Sequence, residues 1–140
     1  MPTMTPTEIA TFLQAPRHAV VGTNTQDGAP QLSPVWYIYE DGTVYSSITT
    51  GTAKYRNLLR DPRISLGIDG GHPDYRTVIV YSTAEVHTGP EDWLEDLRWR
   101  IIRRYYDDEA AARRYADATR HQSHAMLVVT PQRITSQDFN

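Results

Sequence analysis

Short runs of alternating character, each closed by a turn signal, constrain this chain more than any other feature. His18 to Thr25 is a valine-rich run followed by Gln26-Asp27-Gly28. Gln31 to Glu40 leads straight into Asp41-Gly42, and Thr43 to Ile48 resumes the pattern. Asp-Gly between two such runs is a strong hairpin signal, because a tight two-residue turn needs positive φ. Arg63 to Asp69 and the long run Arg76 to Thr88 supply two more strands. His124 to Gln137 is a last strand bent at Pro131, or a pair of strands about it. Pro34 cannot donate to a ladder, so its strand is expected at an edge or a bulge.

Helices fill the remaining stretches. Thr5-Pro6-Thr7-Glu8 reads as a helix start, with Thr5 as N-cap, Pro6 at the first helical position and Glu8 closing a capping box. Ile9, Phe12 and Leu13 should point inward before Pro16 ends the helix. Lys54 to Arg60 is a short helix ended by Asp61-Pro62. Gly89-Pro90-Glu91 opens a longer one with Trp93, Leu97, Ile101 and Tyr105 at four-residue spacing, split near Asp107-Asp108. Asp96 with Arg100, and Glu109 with Arg113, are i,i+4 acid-to-base pairs. Six mostly antiparallel strands of this length favour a closed or partly open barrel, since closure removes exposed edges. The expected class is α+β: a six-stranded antiparallel split β-barrel with flanking short helices, one domain over residues 1–140.

Composition narrows the chemistry. The chain has 140 residues, a net charge of −3 and no cysteine. Disulfides, a thiolate nucleophile, cysteine-ligated zinc and iron–sulfur clusters are therefore excluded. The acidic balance argues against nucleic acid, and no apolar run approaches a membrane span. The first residues lack a basic and an apolar region of the signal-peptide kind, so a cytoplasmic protein is expected. His121 and His124 are three apart and could share a helical face, but no third metal ligand is indicated, so no metal site is expected. The arginines Arg98, Arg100, Arg103 and Arg104 read most simply as a solvated helix face, with contact to a polyanionic ligand as the alternative.

One residue stands apart. Lys54 is the only lysine, placed after Ser46-Ser47-Ile48-Thr49-Thr50-Gly51-Thr52-Ala53 at a helix start. Free backbone N–H groups and the positive end of the helix dipole suit a phosphate there. With Arg56 two residues later, the pattern reads as an anion clamp; ordinary capping of a solvated helix start is the other reading.

Thr25-Gln26-Asp27-Gly28-Ala29-Pro30-Gln31-Leu32-Ser33, then Asp41-Gly42, then Lys54-Tyr55-Arg56-Asn57-Leu58-Leu59-Arg60-Asp61-Pro62-Arg63 resembles the pyridoxamine-phosphate-oxidase-like split-barrel family, in its branch that uses the deazaflavin F420. The resemblance covers nearly the whole chain. It implies a homodimer with the cofactor in a groove between subunits, F420 in this branch and FMN in sister branches. It implies that Lys54 takes the cofactor phosphate beside Ser47, Thr49, Thr50 and Thr52. It places Gln31, Ser33, Pro34, Val35 and Trp36 along the ring, and Arg56 and Asn57 at the phosphate loop and the acidic tail. Proline at position 34 departs from a polar side chain there, so ring contacts would come from backbone. Phe139 stands where flavin-type relatives often carry a tryptophan. His72, Tyr75 and Tyr81 either border the substrate pocket or are exposed loop and strand residues, and His124 could reach a partner's cofactor. The implied activity is hydride transfer between F420 and a small unsaturated or quinone-like acceptor; an FMN oxidase or reductase, or a non-catalytic cofactor carrier, are the alternatives.

Overall fold

In a computed structural model describing residues 2–140, four helices flank two antiparallel sheets. Helix α1 (Pro6–Gln14) starts as its sequence dictates. Glu8 N–H donates to the Thr5 hydroxyl, and Thr5 N–H donates to the Glu8 carboxylate. Phe12 and Leu13 of α1 are buried and Ile9 is half-buried.

The strands are β1 (Ala19–Asn24), β2 (Pro30–Val35), β3 (Ile38–Glu40), β4 (Thr43–Thr49), β5 (Arg63–Asp69), β6 (Arg76–Thr83), β7 (Glu85–His87), β8 (His124–Val129) and β9 (Arg133–Asp138). One sheet runs β2-β1-β5-β6-β9 and the other β3-β4-β8-β7. Every pairing is antiparallel. Asp41 and Gly42 both have positive φ, 50° and 77°, and turn β3 into β4. Those angles match a turn whose twist suits a hairpin. Pro34 lies on β2, an edge strand paired only with β1, where a missing N–H costs no second ladder.

Six long strands are therefore nine shorter ones, because three of the expected runs break and change sheet. The run from Gln31 to Glu40 breaks at Trp36-Tyr37. There the backbone bonds to side chains instead of a neighbouring strand: Ser46 Oγ donates to Trp36 O at 2.7 Å, and Tyr37 N–H donates to the Tyr105 hydroxyl at 3.1 Å. Tyr37 is fully buried, and its hydroxyl donates to Leu13 O at 3.0 Å. Arg76 to Thr88 breaks at Ala84, whose N–H goes to Pro62 O. His124 to Gln137 breaks around Pro131, where Ser82 Oγ donates to Thr130 O and Gln132 N–H to Tyr81 O. Edge strands β2 and β3 are thus two arms of one bent segment, one in each sheet.

The main core lies between the sheets. Val21, Ile68, Val78 and Val80 from one meet Val44, Leu127 and Val129 from the other, with Phe12, Leu13 and Tyr37. Full burial of each aliphatic side chain contributes about 1.5–3 kcal/mol. Helix α3 (Asp92–Arg104) lays Leu97 and Ile101 on Ile38 and Met126, and α4 (Glu109–Ala118) packs Ala112 and Ala116 against Ile102. Trp93, expected on the inward stripe, is 43% exposed at the start of α3, edge-on to His87.

The arginines of α3 are not a solvated face. Arg98 is buried and donates to Ala116 O, to the Thr119 hydroxyl and to Glu95. Arg104 donates to Tyr37 O, Gln14 O and Ala15 O, and Arg103 to Tyr106 O. Arg100 pairs with Asp96, as expected, and also with Glu40. These side chains meet carbonyls left without partners where helices end and strands bend, a planar fork being suited to that task. Glu109 reaches Arg103 at 3.8 Å rather than Arg113, whose guanidinium stacks 3.7 Å from the Trp99 ring.

Candidate functional site

Helix α2 (Ala53–Arg60) begins without a side-chain cap. Thr52, its N-cap, turns its hydroxyl back to donate to Thr49 O at 2.8 Å. The first N–H groups of the helix, at Ala53, Lys54 and Tyr55, therefore face outward from a turn with no capping oxygen, a ready acceptor for an anion. Lys54 is half-buried, and burial pulls its ammonium below the ordinary lysine range. Among the described residues it has no carboxylate or hydrogen-bond partner. A half-desolvated cation with no counter-charge is costly unless a ligand supplies one.

Lys54 opens onto a hollow of about 380 Å³ whose wall comes from four elements. Pro34 and Val35 come from β2, with Trp36 just after it; Ser47, Ile48 and Thr49 come from β4; Thr52 and Lys54 from the start of α2; Tyr115 from α4. Trp36 is fixed by a group of aromatics. It stacks on Tyr105 at 4.8 Å with ring planes 7° apart, meets Tyr106 edge-on at 5.9 Å and Tyr115 at 5.4 Å. The Tyr105 hydroxyl donates to Arg17 O at 2.5 Å, and burial raises its pKa. The hollow is thus a cationic end joined to an aromatic wall, with strand backbone between them.

Seven of the residues expected at a cofactor meet here: Pro34, Val35, Trp36, Ser47, Thr49, Thr52 and Lys54. The others stand elsewhere. Thr50 is half-buried, with its N–H on Ser123 O. Ser33 faces the other side of β2 from Pro34, and its hydroxyl is buried with no partner among the described residues. Gln31, Arg56 and Asn57 line a separate, shallower hollow across α2, beside the Thr25–Pro30 turn and Arg60. The clamp of Lys54 with Arg56 is therefore not formed within this chain. Two residues along a helix of 3.6 per turn point to nearly opposite sides. Arg56 donates to Gly51 O, while buried Asn57 donates to the Thr23 hydroxyl and accepts from Arg60. Asn57 fastens α2 to β1.

His72 and Tyr75 bond to each other, and Tyr75 binds the C-terminal residues Phe139 and Asn140. Tyr81 lies under Arg133 on the outward face of β6. None of these lines the Lys54 hollow. His121 sits in a turn and His124 starts β8, so they share no helical face; no cluster of three metal-ligating side chains occurs among the described residues. No helix among them is long and apolar enough to cross a membrane. Sequence reading missed Tyr115, Tyr105, Tyr106 and His18. Tyr115, Tyr105 and Tyr106 gave only aromatic content in a helical stretch distant along the chain, where aromatics are ordinary core, and His18, which lines the hollow from just before β1, stood out by no pattern.

The model of the family described as pyridoxamine 5'-phosphate oxidase matches residues 5–138. The chain belongs to that family. Among solved structures, a conserved hypothetical protein from Mycobacterium tuberculosis is similar at 27% identity and a TM-score of 0.81, over 98% of this chain and 86% of that one. A protein named F420 reductase is similar at 20% identity and a TM-score of 0.68, over 89% of this chain and 93% of that one. An FAD-binding protein from Mesorhizobium loti is similar at 18% identity and a TM-score of 0.67, over 96% and 94%. The last two likenesses establish a shared fold. No curated protein matches the sequence.

Proposed function

We propose that this single-domain chain is a reductase that uses the deazaflavin F420 and passes a hydride to a small unsaturated or quinone-like acceptor. The observation that carries the reading is Lys54: half-buried, without a counter-charge, at an uncapped helix start, and joined through one hollow to an aromatic wall. That arrangement fits a molecule with a phosphate at one end and a flat ring at the other. The bound cofactor supplies the hydride chemistry, and the protein supplies position, charge and exclusion of water. Lys54 and the first N–H groups of α2 hold the phosphate, with Ser47, Thr49 and Thr52 alongside. Pro34 and Val35 offer strand backbone along the ring edge, since a proline side chain offers no hydrogen bond. Trp36 and Tyr115 close the wall against solvent. Arg56 and Arg60, across α2, remain available to an acidic tail.

The family's match to an oxidase and the likeness to an FAD-binding protein support a second reading, in which the same hollow takes FMN. Side-by-side titration of the purified chain with F420, FMN and FAD separates them, and F420 is expected to bind tightest. Reduced F420 should then be consumed with quinone and enone acceptors equally well under air and under nitrogen. A purified protein that carries yellow FMN and consumes oxygen would establish the second reading instead.

A further inference from the structure

Ser47 borders three hollows at once. Besides the Lys54 hollow, it lines a narrow neck of about 90 Å³ with Trp36, Ile101, Ile102 and Tyr115, and a hollow of about 390 Å³ beyond it. The neck shares Trp36, Ser47, Thr49 and Tyr115 with the Lys54 side, and Ser47, Arg98, Gln122 and His124 with the far side. The three lie side by side from α2 past β4 to the start of α3, adjoining through these shared residues. A neck this narrow, aromatic and aliphatic on one part of its wall and polar at Thr49, Arg98, Thr119 and Gln122, admits something flat and thin.

His124 lines both the neck and the far hollow, half-buried at the start of β8. Its Nε2 lies 2.9 Å from Thr119 O. A carbonyl can only accept, so Nε2 carries the hydrogen, and Nδ1 is the nitrogen left without a partner among the described residues. The neutral ring offers Nδ1 as an acceptor; the protonated ring offers a donor there. The other charged or titratable groups lining the far hollow are His87 from β7, Glu91, Asp92, Glu95 and Arg98 at α3, and Arg120 after α4. Arg98 and Arg120 are already committed to Glu95, with Arg120 also on Asp117. Glu91 and Asp92 have no ion-pair partner among the described residues. The uncommitted charge is acidic, which opposes a carboxylate or phosphate and tolerates a neutral molecule.

We infer that the neck and the far hollow are the acceptor site and that His124 Nδ1–H is the proton donor to the acceptor, an inference that rests on the proposed reductase reading. The acceptor is a flat, uncharged α,β-unsaturated carbonyl compound. Hydride adds to its β-carbon, the C=C pair shifts to form a double bond between the α-carbon and the carbonyl carbon, the C=O π pair moves onto oxygen as an enolate, and the proton on Nδ1 of the imidazolium neutralises it as an enol that tautomerises to the saturated ketone. The acceptor gains one hydride, which carries both electrons, and one proton; the bound cofactor is oxidised by the loss of those two electrons; the open far hollow lets solvent return a proton to Nδ1.

His124→Gln tests this, because the Gln amide can still donate to Thr119 O while losing the titratable nitrogen. F420 affinity is expected within twofold of the parent, while turnover of cyclohex-2-enone falls on the order of 10²-fold or more and the limb of the pH profile due to the imidazole disappears. A second readout needs neither variant nor cofactor: cyclohex-2-enone added to the ¹⁵N-labelled chain should shift the His124 ring nitrogens, and cyclohex-1-ene-1-carboxylate, an unsaturated six-membered ring that carries a negative charge, should not. Unchanged turnover and pH profile in His124→Gln, or His124 resonances indifferent to the enone, would overturn the inference. Failure of F420 and FMN to bind the parent chain would overturn the reductase reading instead, leaving the nuclear-resonance result to judge the acceptor site by itself.

Discussion

At the scale of single residues, the lone lysine outweighs its neighbours because nothing in the described chain neutralises it. Lys54→Ala should weaken cofactor binding by about 1.5–3 kcal/mol, the worth of a hydrogen bond to a charged group, with little change in Tm. Equal affinity of variant and parent in a fluorescence titration would remove Lys54 from the site. Two aspartates have a different task. Asp61 accepts from Arg63 and Asn24 at the link between α2 and β5, and Asp74 from Arg76 and Asn140, with Arg17 nearby. Those bonds hold both carboxyls well below the usual carboxylate range. A depressed folded-state pKa gives stability that is present above the unfolded value, about 3.9, and is lost as pH falls through the folded value. Urea denaturation should therefore show stability declining below pH 4, and Asp61→Asn with Asp74→Asn should flatten that decline. Identical pH slopes in parent and double variant would assign the loss to other groups.

At the scale of elements, the helices kept their expected places but exchanged roles. The capping box of α1 is local chemistry, set by residues within three positions, and stands where the sequence put it; the helix break expected near Asp107-Asp108 is present, with Asp108 capping α4. The arginines of α3 could not be read that way, because the partners that bury Arg98, draw Arg100 to Glu40 and tie down Arg104 lie between 18 and 90 residues away. A charged residue on a helix looks solvent-facing until the bends that strand carbonyls nearby are known. Arg98→Met keeps the stem's packing but leaves Ala116 O with only the long 3.4 Å contact from the Thr119 hydroxyl. A loss of ~2–4 kcal/mol in denaturant unfolding is expected, from a poorly met acceptor and a lost tie between α3 and α4. A change under 0.5 kcal/mol would return Arg98 to the surface role expected from sequence.

At the scale of the whole molecule, the Lys54 hollow is open on one side, and the outward face beside it is apolar. Val20 is 40% and Leu32 65% exposed on β1 and β2, with Pro34 and Gly22 next to them. Adding a Cβ at Gly22 would press on Leu32 Cδ2 at 3.3 Å, so the face is flat and closely fitted. An exposed apolar patch of this kind suits a partner surface, and a second copy that covers the cofactor is the occupant the family resemblance implies. Light scattering at micromolar concentration should give twice the chain mass for the parent and one chain mass for Leu32→Asp with Val20→Asp. A parent of one chain mass would reject the homodimer, and with it a site shared between subunits.

Turn dipeptides, capping residues and strand alternation act within a few residues, so the sequence by itself determined the hairpins, the helix starts, the edge position of Pro34 and the family. It also singled out Lys54, since scarcity needs no coordinates. Only the tertiary structure decided that three strands break and cross between sheets, because those breaks are stabilised by Ser46 and Tyr105 at Trp36-Tyr37, by Pro62 O at Ala84 and by Ser82 at Thr130, partners between 10 and 68 positions away. It also decided that Lys54 and Arg56 face different hollows, and that Tyr115 joins Trp36 across 79 positions. Which side chains share a cavity depends on packing between elements, and no local pattern records that.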